Sequence, residues 1–494
     1  MFWGGVPDAL PRLCAVRLAA LVAEVEGARV VGDSAVDVKA LAYDSRRVEA
    51  GGLFFCVPGE KVDGHVFAEG AVEGGAVALV VEKELDLSVA QVVVPDARAA
   101  MAPVAARFFG APSKELRVVG VTGTNGKTTT AFLVREILEA AGIRCGLLGT
   151  VRQVVGGVEE EVERTTPEAI DLQATFRRML DAGDRACAME VSSHALALHR
   201  CDAIRFELAL FTNLTQDHLD FHPDMEHYYR AKARLFEAAP AAINVGDHYG
   251  RRLAGEAGGP VLTFSRAGDE ADVRPHAVEI GPGGVISLIA TTPRGALPLD
   301  VRLRGGFNVE NVLCAVALAE VLELPHAAVR AGIAAVQGVP GRFEPVEAGQ
   351  PFTVLVDYAH TPDGLENVLR SAREITAGRL ICVFGCGGDR DRGKRPLMGA
   401  VVRRLADVGL VTSDNPRSED PAAIIADITS GVDMDVEVDR RTAIARAVAT
   451  AEPDDVVVIA GKGHEQGQEL ADRTIPFDDR QVAREALAAL AGAA

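Results

Sequence analysis

Short continuous apolar runs at 53–57, 76–81 and 91–94, each broken by glycine or proline, open the chain. Runs of that length between breakers read as buried strands, so residues 1–112 are expected to form a small mixed α/β domain. APSKEL at 111–116 reads as a linker. Apolar strands at 116–121, 186–191 and 207–211 then alternate with helical stretches, the rhythm of a parallel sheet covered on both faces. A central domain over 113–338 follows. After VPGR at 339–342 a second such rhythm begins, with strands at 352–356, 380–384, 408–411 and 456–459, and gives a third domain over 339–494. The opening MFWGGVPDALPRLCAVRLAALVA resembles a secretory leader. Yet Asp8 and Arg17 interrupt it and no early cationic stretch precedes it, so an amphipathic helix is expected instead.

Composition narrows the function. The 494 residues are 48% hydrophobic, enough for several cores despite 50 glycines. With 51 basic against 70 acidic residues the formal charge is −19. Such a chain repels nucleic acid and anionic lipid, so any phosphate it binds needs a dedicated loop. Eight cysteines (14, 56, 145, 187, 201, 314, 382, 386) show no paired spacing and read as reduced, buried thiols of a cytoplasmic protein. No apolar run is long enough for a membrane span. Only eight lysines occur, against 43 arginines, and Lys127, Lys232, Lys394 and Lys462 lie in segments that look functional. Lysine-specific chemistry is expected chiefly at Lys127 and Lys232.

The sharpest local signal is the strand at 116–121 followed by Thr122-Gly-Thr-Asn-Gly-Lys-Thr-Thr-Thr130 and a helix with Phe132, Leu133, Ile137, Leu138 and Ala141 on one face, stopped at Gly142. Strand, glycine loop, Lys-Thr and helix together cradle a triphosphate, ATP or GTP. Gly123 to Gly126 supply backbone N–H groups, Lys127 reaches the β/γ oxygens and the Thr128 hydroxyl suits Mg2+. Val121 stands where the strict motif has glycine, so the loop is a variant. Glu190 closes the next strongly apolar strand, where α/β sheets place metal ligands; a plain structural acid is the alternative. His218 and His222 are spaced i,i+4 around Asp217 and Asp220, which suggests zinc, but no cysteine lies near. A hard-cation role for His218 is preferred, with His222 as scaffold. Lys232 in YYRAKARLF shares a helix face with Phe236. A buried amine there must find an acid, lose its proton or be converted.

GTNGKT, EVSSHAL, TNLTQDHLD, the YYRAK helix, GGFNVEN at 305–311, VPGRFE at 339–344 and VDYAHTPD at 356–363 together resemble the Mur ligase family of ATP-dependent amide-forming enzymes, in order over most of the chain. GCGGDRDRGKRP (385–396), DNPR (414–417) and GKGHE (461–465) are similar to the members that add meso-diaminopimelate.

The resemblance implies an N-terminal domain for the UDP end of the substrate, a central P-loop-type ATPase domain and a C-terminal Rossmann-like domain for the incoming amino acid. It implies ATP and Mg2+ as cofactors, and an N-carboxylated Lys232 that holds Mg2+ with Thr128, Glu190 and His218. Gly123, Thr124, Asn125, Gly126, Lys127, Thr128, Thr129, Asn308, Asn311, Arg342 and Asp357 are expected around the nucleotide. Tyr43, Ser45, Thr165, Thr166, Ser192 and Arg200 match positions contacting UDP-N-acetylmuramoyl-L-alanyl-D-glutamate. Leu198 departs from the family, which often has glutamine there. Arg390, Asp414, Asn415, Pro416, Arg417, Gly461 and Glu465 match the diaminopimelate contacts, with a bidentate guanidinium at Arg417 for the distal carboxylate and Glu465 for the distal ammonium. Asp-Asn-Pro is also ordinary turn chemistry.

The implied chemistry is an acyl phosphate made from the D-glutamyl γ-carboxylate, then captured by the amine, with His360 a candidate base. The partners are small molecules, with neither nucleic acid nor membrane insertion, and the chain is expected to be a monomer. A lysine-adding relative and a folylpolyglutamate synthetase are the rivals within the superfamily; a nucleotide-gated switch is the rival outside it, with no use for Lys232.

Overall fold

The computed structural model describes residues 15–493 apart from 60–61, 163, 268–269 and 282–283. The expected N-terminal helix falls mostly outside that set, as does Cys14. Within it, the short strand Val16–Arg17 precedes a five-residue helix, Leu18–Val22. The chain divides into two compact units. One comprises Met1–Gly120, Gly142–Ala209 and Arg234–Ala239; the other comprises Val121–Ala141, Leu210–Ala233 and Pro240–Ala494.

In the first unit, a five-stranded sheet runs in the order Arg29–Val31, Ala90–Val93, Ala76–Val81, Gly52–Phe55, Ala40–Ala42. All neighbours pair in parallel except Arg29–Val31 with Ala90–Val93. Alternation along each strand splits the apolar residues between two faces. Leu53, Phe55, Val80 and Val92 pack with the helix Ala97–Phe108, while Phe54, Leu79 and Val81 fill the opposite side. The 111–116 segment is not a loose linker. Ala111 takes a left-handed φ of 52°, Pro112–Lys114 forms a 3-10 turn, and Pro112 and Ser113 are buried. Four further strands lie in the order Val158–Glu160, Gln153–Val155, Cys145–Leu148, Ala186–Glu190, the last pair parallel and the others antiparallel.

The second unit carries the loop after the strand Arg117–Thr122 and the helix Lys127–Ala140. It also holds a three-stranded antiparallel meander, Arg274–Ile280, Val285–Thr292 and Gly295–Arg304. The sequence reading took 113–338 as an unbroken strand–helix alternation and missed this element. In the middle strand, Ile286, Leu288 and Ala290 are buried between more exposed neighbours, the pattern of a sheet covered on one face only.

The C-terminal part of this unit is a six-stranded sheet in the order Glu344–Pro345, Thr353–Asp357, Val456–Ala460, Leu380–Phe384, Val408–Val411, Asp435–Val436. Only its first pair is antiparallel. Leu355, Cys382, Phe384 and Val458 belong to one core, and Val354, Val356, Ile381 and Ile459 to another on the opposite face. The strand ends deliver Asp357, the 385–396 loop, DNPR and GKGHE to one edge of the sheet, where such folds bind ligands.

The seven described cysteines are buried. Burial pushes the thiols of Cys56, Cys201 and Cys386 up to about 12, and raises Cys187, Cys314 and Cys382 as well. Among the described residues no helix is long and apolar enough to cross a membrane.

Candidate functional site: a phosphate loop and an acceptor pocket

The helix Lys127–Ala140 starts from Gly126 at φ 86°. Only glycine suits this position, because a Cβ there would lie 2.3 Å from Asn311 Oδ1. The loop N–H groups of Thr124 and Asn125 donate to Asn213 O and Oδ1 (2.9 Å each), so the anion-binding feature here is the helix N-terminus that begins at Lys127. Lys127 Nζ donates to the carbonyls of Gly123 (2.9 Å) and Thr124 (2.7 Å).

A second lysine meets the same carbonyl. Lys232, on the helix Met225–Ala233, is 1% exposed. Its Nζ lies 2.9 Å from Gly123 O, 3.5 Å from Thr122 Oγ1 and 4.7 Å from the centre of the Tyr228 ring. Burial, then the charge of Lys127, push this amine well below its ordinary range, while Asp217 pulls the other way. Phe236 is buried too, but sits in a 3-10 turn, Arg234–Phe236, rather than on the lysine's helix.

Beside the loop opens a cleft whose lining includes Asn125, Thr129, Phe307, Asn311, Arg342 and Asp357. Arg342 Nη2 donates to Thr128 Oγ1 (3.0 Å) and its guanidinium stacks 4.6 Å from the centre of the Tyr358 ring. Arg342 Nε is buried without a hydrogen-bond partner, a donor left for a ligand. Asn311 Nδ2 donates to Asn308 Oδ1 (2.8 Å), and Asn308 Nδ2 to Arg304 O (2.7 Å), so the asparagines hold each other in place. Thr124 Oγ1 donates to Thr215 O at 3.1 Å. Asp357 accepts the backbone N–H groups of Phe343 (2.6 Å) and Ala359 (2.7 Å), yet burial raises its carboxyl to about 6.

Asp217, which the sequence reading used only as spacing between histidines, is 5% exposed and central. His218 Nε2 lies 3.3 Å from its Oδ2, His360 Nε2 3.7 Å from the same oxygen, and Lys394 Nζ 3.9 Å from Oδ1. Burial alone would raise this carboxyl; the bond from His360 and the charges of His218 and Lys394 outweigh it and hold the group far below the carboxylate range. His218 takes a left-handed φ of 56°, the kind of strained backbone found at ligand sites. His360 Nδ1 is 2.8 Å from Tyr358 O, so both its ring nitrogens are engaged. His222 is buried, its ring 5.1 Å from that of Tyr228. Among the described residues no group of three or more His, Cys, Asp or Glu could by itself hold a metal ion.

In the first unit, hydrogen bonds join five of the expected residues. Thr150 donates from its N (2.8 Å) and Oγ1 (3.0 Å) to the Glu190 carboxylate, and its hydroxyl meets that of Thr165 at 3.0 Å. Thr166 Oγ1 donates to Glu190 O (2.9 Å) and accepts from Ser192 N (3.1 Å). Arg200 Nη1 donates to Thr166 O (3.0 Å) and Nη2 pairs with Glu168 (2.8 Å), while its buried Nε has no partner. Thr150 was not anticipated; nothing in its GLLGT context marks it. Tyr43 stands apart from this network, donating to Asp171 at 2.6 Å. Ser45 opens the 3-10 turn Ser45–Arg47, capped by Asp44. Leu198 is the partly buried C-cap of the helix Ser193–Ala197.

The last constellation joins DNPR to GKGHE. Asp414 and Asn415 are buried, and a Cβ on Gly461 would sit 2.4 Å from Asp414 Oδ2. Arg417 has φ 49°; its Nε pairs with Glu469 Oε2 (2.6 Å) and its Nη1 donates to Gly388 O (2.9 Å). Pro416 is buried beside it. Glu465 Oε2 accepts from Asn415 Nδ2 (2.8 Å) and from the fully buried Lys462 (2.9 Å). Arg390 is exposed, its Nη1 donating to Asp389 O at 3.0 Å.

The chain is similar to known proteins along most of its length. Three family models match in succession: the Mur ligase family catalytic domain at 37–112, the Mur ligase middle domain at 121–319, and the glutamate ligase domain of Mur ligases at 341–463. The UDP-N-acetylmuramoyl-L-alanyl-D-glutamate–2,6-diaminopimelate ligase of Syntrophomonas wolfei is 46% identical over 465 residues, 91% of this chain and 95% of that protein. The like-named ligase of Streptomyces coelicolor is 46% identical over 92% of this chain and 93% of its own. A solved structure of a ligase of that name aligns with TM-score 0.68 at 32% identity, covering 96% of this chain and 99% of the other. In fold alone, a Mycobacterium tuberculosis folylpolyglutamate synthase complexed with ADP and AMPPCP also aligns, with TM-score 0.62 at 21% identity over 74% of this chain and 92% of that one. With identity this high over nearly the full length, the chain belongs to the Mur ligase family.

Proposed function

We propose that the protein is an ATP-dependent amide ligase that adds meso-diaminopimelate to UDP-N-acetylmuramoyl-L-alanyl-D-glutamate through an acyl phosphate, in cytoplasmic peptidoglycan precursor synthesis. The observation that carries this reading is a pair of lysines on the Gly123 carbonyl of a phosphate loop, in one unit with a DNPR–GKGHE pocket suited to a zwitterionic amine. Residues 1–112 serve the UDP end, 113–338 ATP, and 339–494 the amino acid.

The D-glutamyl γ-carboxylate oxygen attacks the γ-phosphorus of ATP; the bond to the β-phosphate oxygen breaks and ADP leaves. The amine nitrogen then attacks the acyl carbon, and the tetrahedral species expels phosphate while the nitrogen loses its proton. Anions must meet in the first step, so neutralisation and positioning are the enzyme's main task. Lys127 leaves its loop carbonyls for the phosphates, and the helix N–H groups receive them. Asn308, Asn311, Arg342 and Asp357 hold the nucleoside end. Tyr43, Ser45, Thr165, Thr166, Ser192 and Arg200 hold the dipeptide substrate.

Thr128, His218 and a carboxylated Lys232 are the residues of this unit that would hold Mg2+. This sparse set would suit an ion that keeps waters and phosphate oxygens of its own, which would offset phosphate charge. The lowered amine at 232 favours the neutral nucleophile that adds to carbon dioxide, releasing a proton and leaving a carbamate.

An ATP-dependent ligation assay with a panel of amines tests the proposal. Sustained ADP production over many turnovers is expected only with both the UDP-dipeptide and diaminopimelate present; efficient turnover with lysine, or sustained ADP production without any amine acceptor, would overturn it.

A further inference from the structure

The most deeply buried lysine of the acceptor pocket has no part in the chemistry above. Lys462 is 0% exposed, and its Nζ donates to Asn415 Oδ1 (2.7 Å) and Glu465 Oε2 (2.9 Å). An ammonium has donors only. It therefore fixes the amide of Asn415 with its oxygen inward, where the backbone N–H of Glu469 also donates to it at 3.0 Å. The amide NH2 is thereby turned toward Glu465, to which it donates at 2.8 Å. Both donors land on Oε2. The other carboxylate oxygen, Oε1, receives neither bond, and the Glu465 side chain is 30% exposed.

From this geometry we propose that Lys462 is a positioning residue for the acceptor amino acid: it sets Asn415 and Glu465 so that one carboxylate oxygen, Glu465 Oε1, faces the incoming distal ammonium. The inference deepens the diaminopimelate reading and rests on it. Arginine would not serve as well: its planar fork needs more room than a fully buried ammonium occupies.

The test compares steady-state kinetics of the full-length wild type and Lys462→Met, which keeps the stem and removes the charge. The KM for diaminopimelate is expected to rise about 10- to 100-fold, the size of a lost charged hydrogen bond, while the KM values for ATP and the UDP-dipeptide hold. Positional isotope exchange in ATP, which needs the UDP-dipeptide but no amine, is expected to persist. An unchanged KM for diaminopimelate, or a parallel loss of isotope exchange, would overturn the inference. If Lys462→Met does not fold, Asn415→Asp carries the test: it retains an acceptor for Lys462 and loses the donor to Glu465, so the same KM rise is expected and an unchanged KM overturns the idea. Wild type that fails to ligate diaminopimelate refutes the functional reading itself; wild type that succeeds beside an unaffected variant refutes only the role of Lys462.

Discussion

Lysine is rare in this chain, and among the described residues three lysines are buried: Lys232, Lys394 and Lys462. Each faces a polar or acidic group, because an unpaired ammonium in a core is costly. For Lys232, Lys232→Ala is expected to abolish most ligation, and short carboxylic acids added to the variant to restore part of it by standing in for the carbamate. Activity assays with acetate and formate check this; a wild-type rate in the variant ends the account. Arg417 is expected to matter as much: Arg417→Ala should lower kcat/KM for diaminopimelate about 100- to 1000-fold, as when one partner of a charged pair is removed. Its present partner behaves differently. Glu469 is half exposed, and such a pair is worth about 1 kcal/mol or less. Glu469→Gln should therefore lower the KM for diaminopimelate only two- to fivefold (about that much by the same figure), since the incoming carboxylate no longer displaces a competitor.

At the scale of elements, the strand–loop–helix at 117–140 is the most legible part of the molecule, because apolar strand, glycine loop and helical stripe leave one arrangement open. Gly126→Ala is expected to cost about 1–2 kcal/mol for the left-handed backbone alone, and to weaken ATP binding further by crowding Asn311; calorimetric titration and thermal melts measure both. The parallel strands of the C-terminal sheet were equally readable as continuous apolar runs. The antiparallel meander at 274–304 was not, since its single-residue alternation was absorbed into the βαβ rhythm. Within the site, motif residues could be located one by one. The partnerships among them could not: Asp217 with Lys394, or Lys462 with Asn415, join residues 177 and 47 apart in sequence, and no local pattern reports a contact across that distance. Thr150 on Glu190 was invisible for the same reason.

At the scale of the whole molecule, stability carries the mark of Asp357. Its carboxyl rises from an ordinary 3.8 to about 6 in the folded state, so the folded chain holds this proton where the unfolded chain has released it. The contribution is fully present below 3.8 and is lost as pH rises through about 6; its size is on the order of 3 kcal/mol. Denaturant unfolding across that window should show wild-type stability falling relative to Asp357→Asn as pH rises. Parallel curves for the two proteins would remove this carboxyl from the account.

The silent thiols offer a way to watch the molecule open. Cys56, Cys187 and Cys201 lie in one compact unit and Cys314, Cys382 and Cys386 in the other. Sulfur that is both shielded and reluctant to ionise is inert to alkylation until its surroundings come apart. Timed exposure to iodoacetamide, read peptide by peptide in a mass spectrometer, should thus clock the breathing of each unit separately and tell whether a bound nucleotide quiets one of them or both.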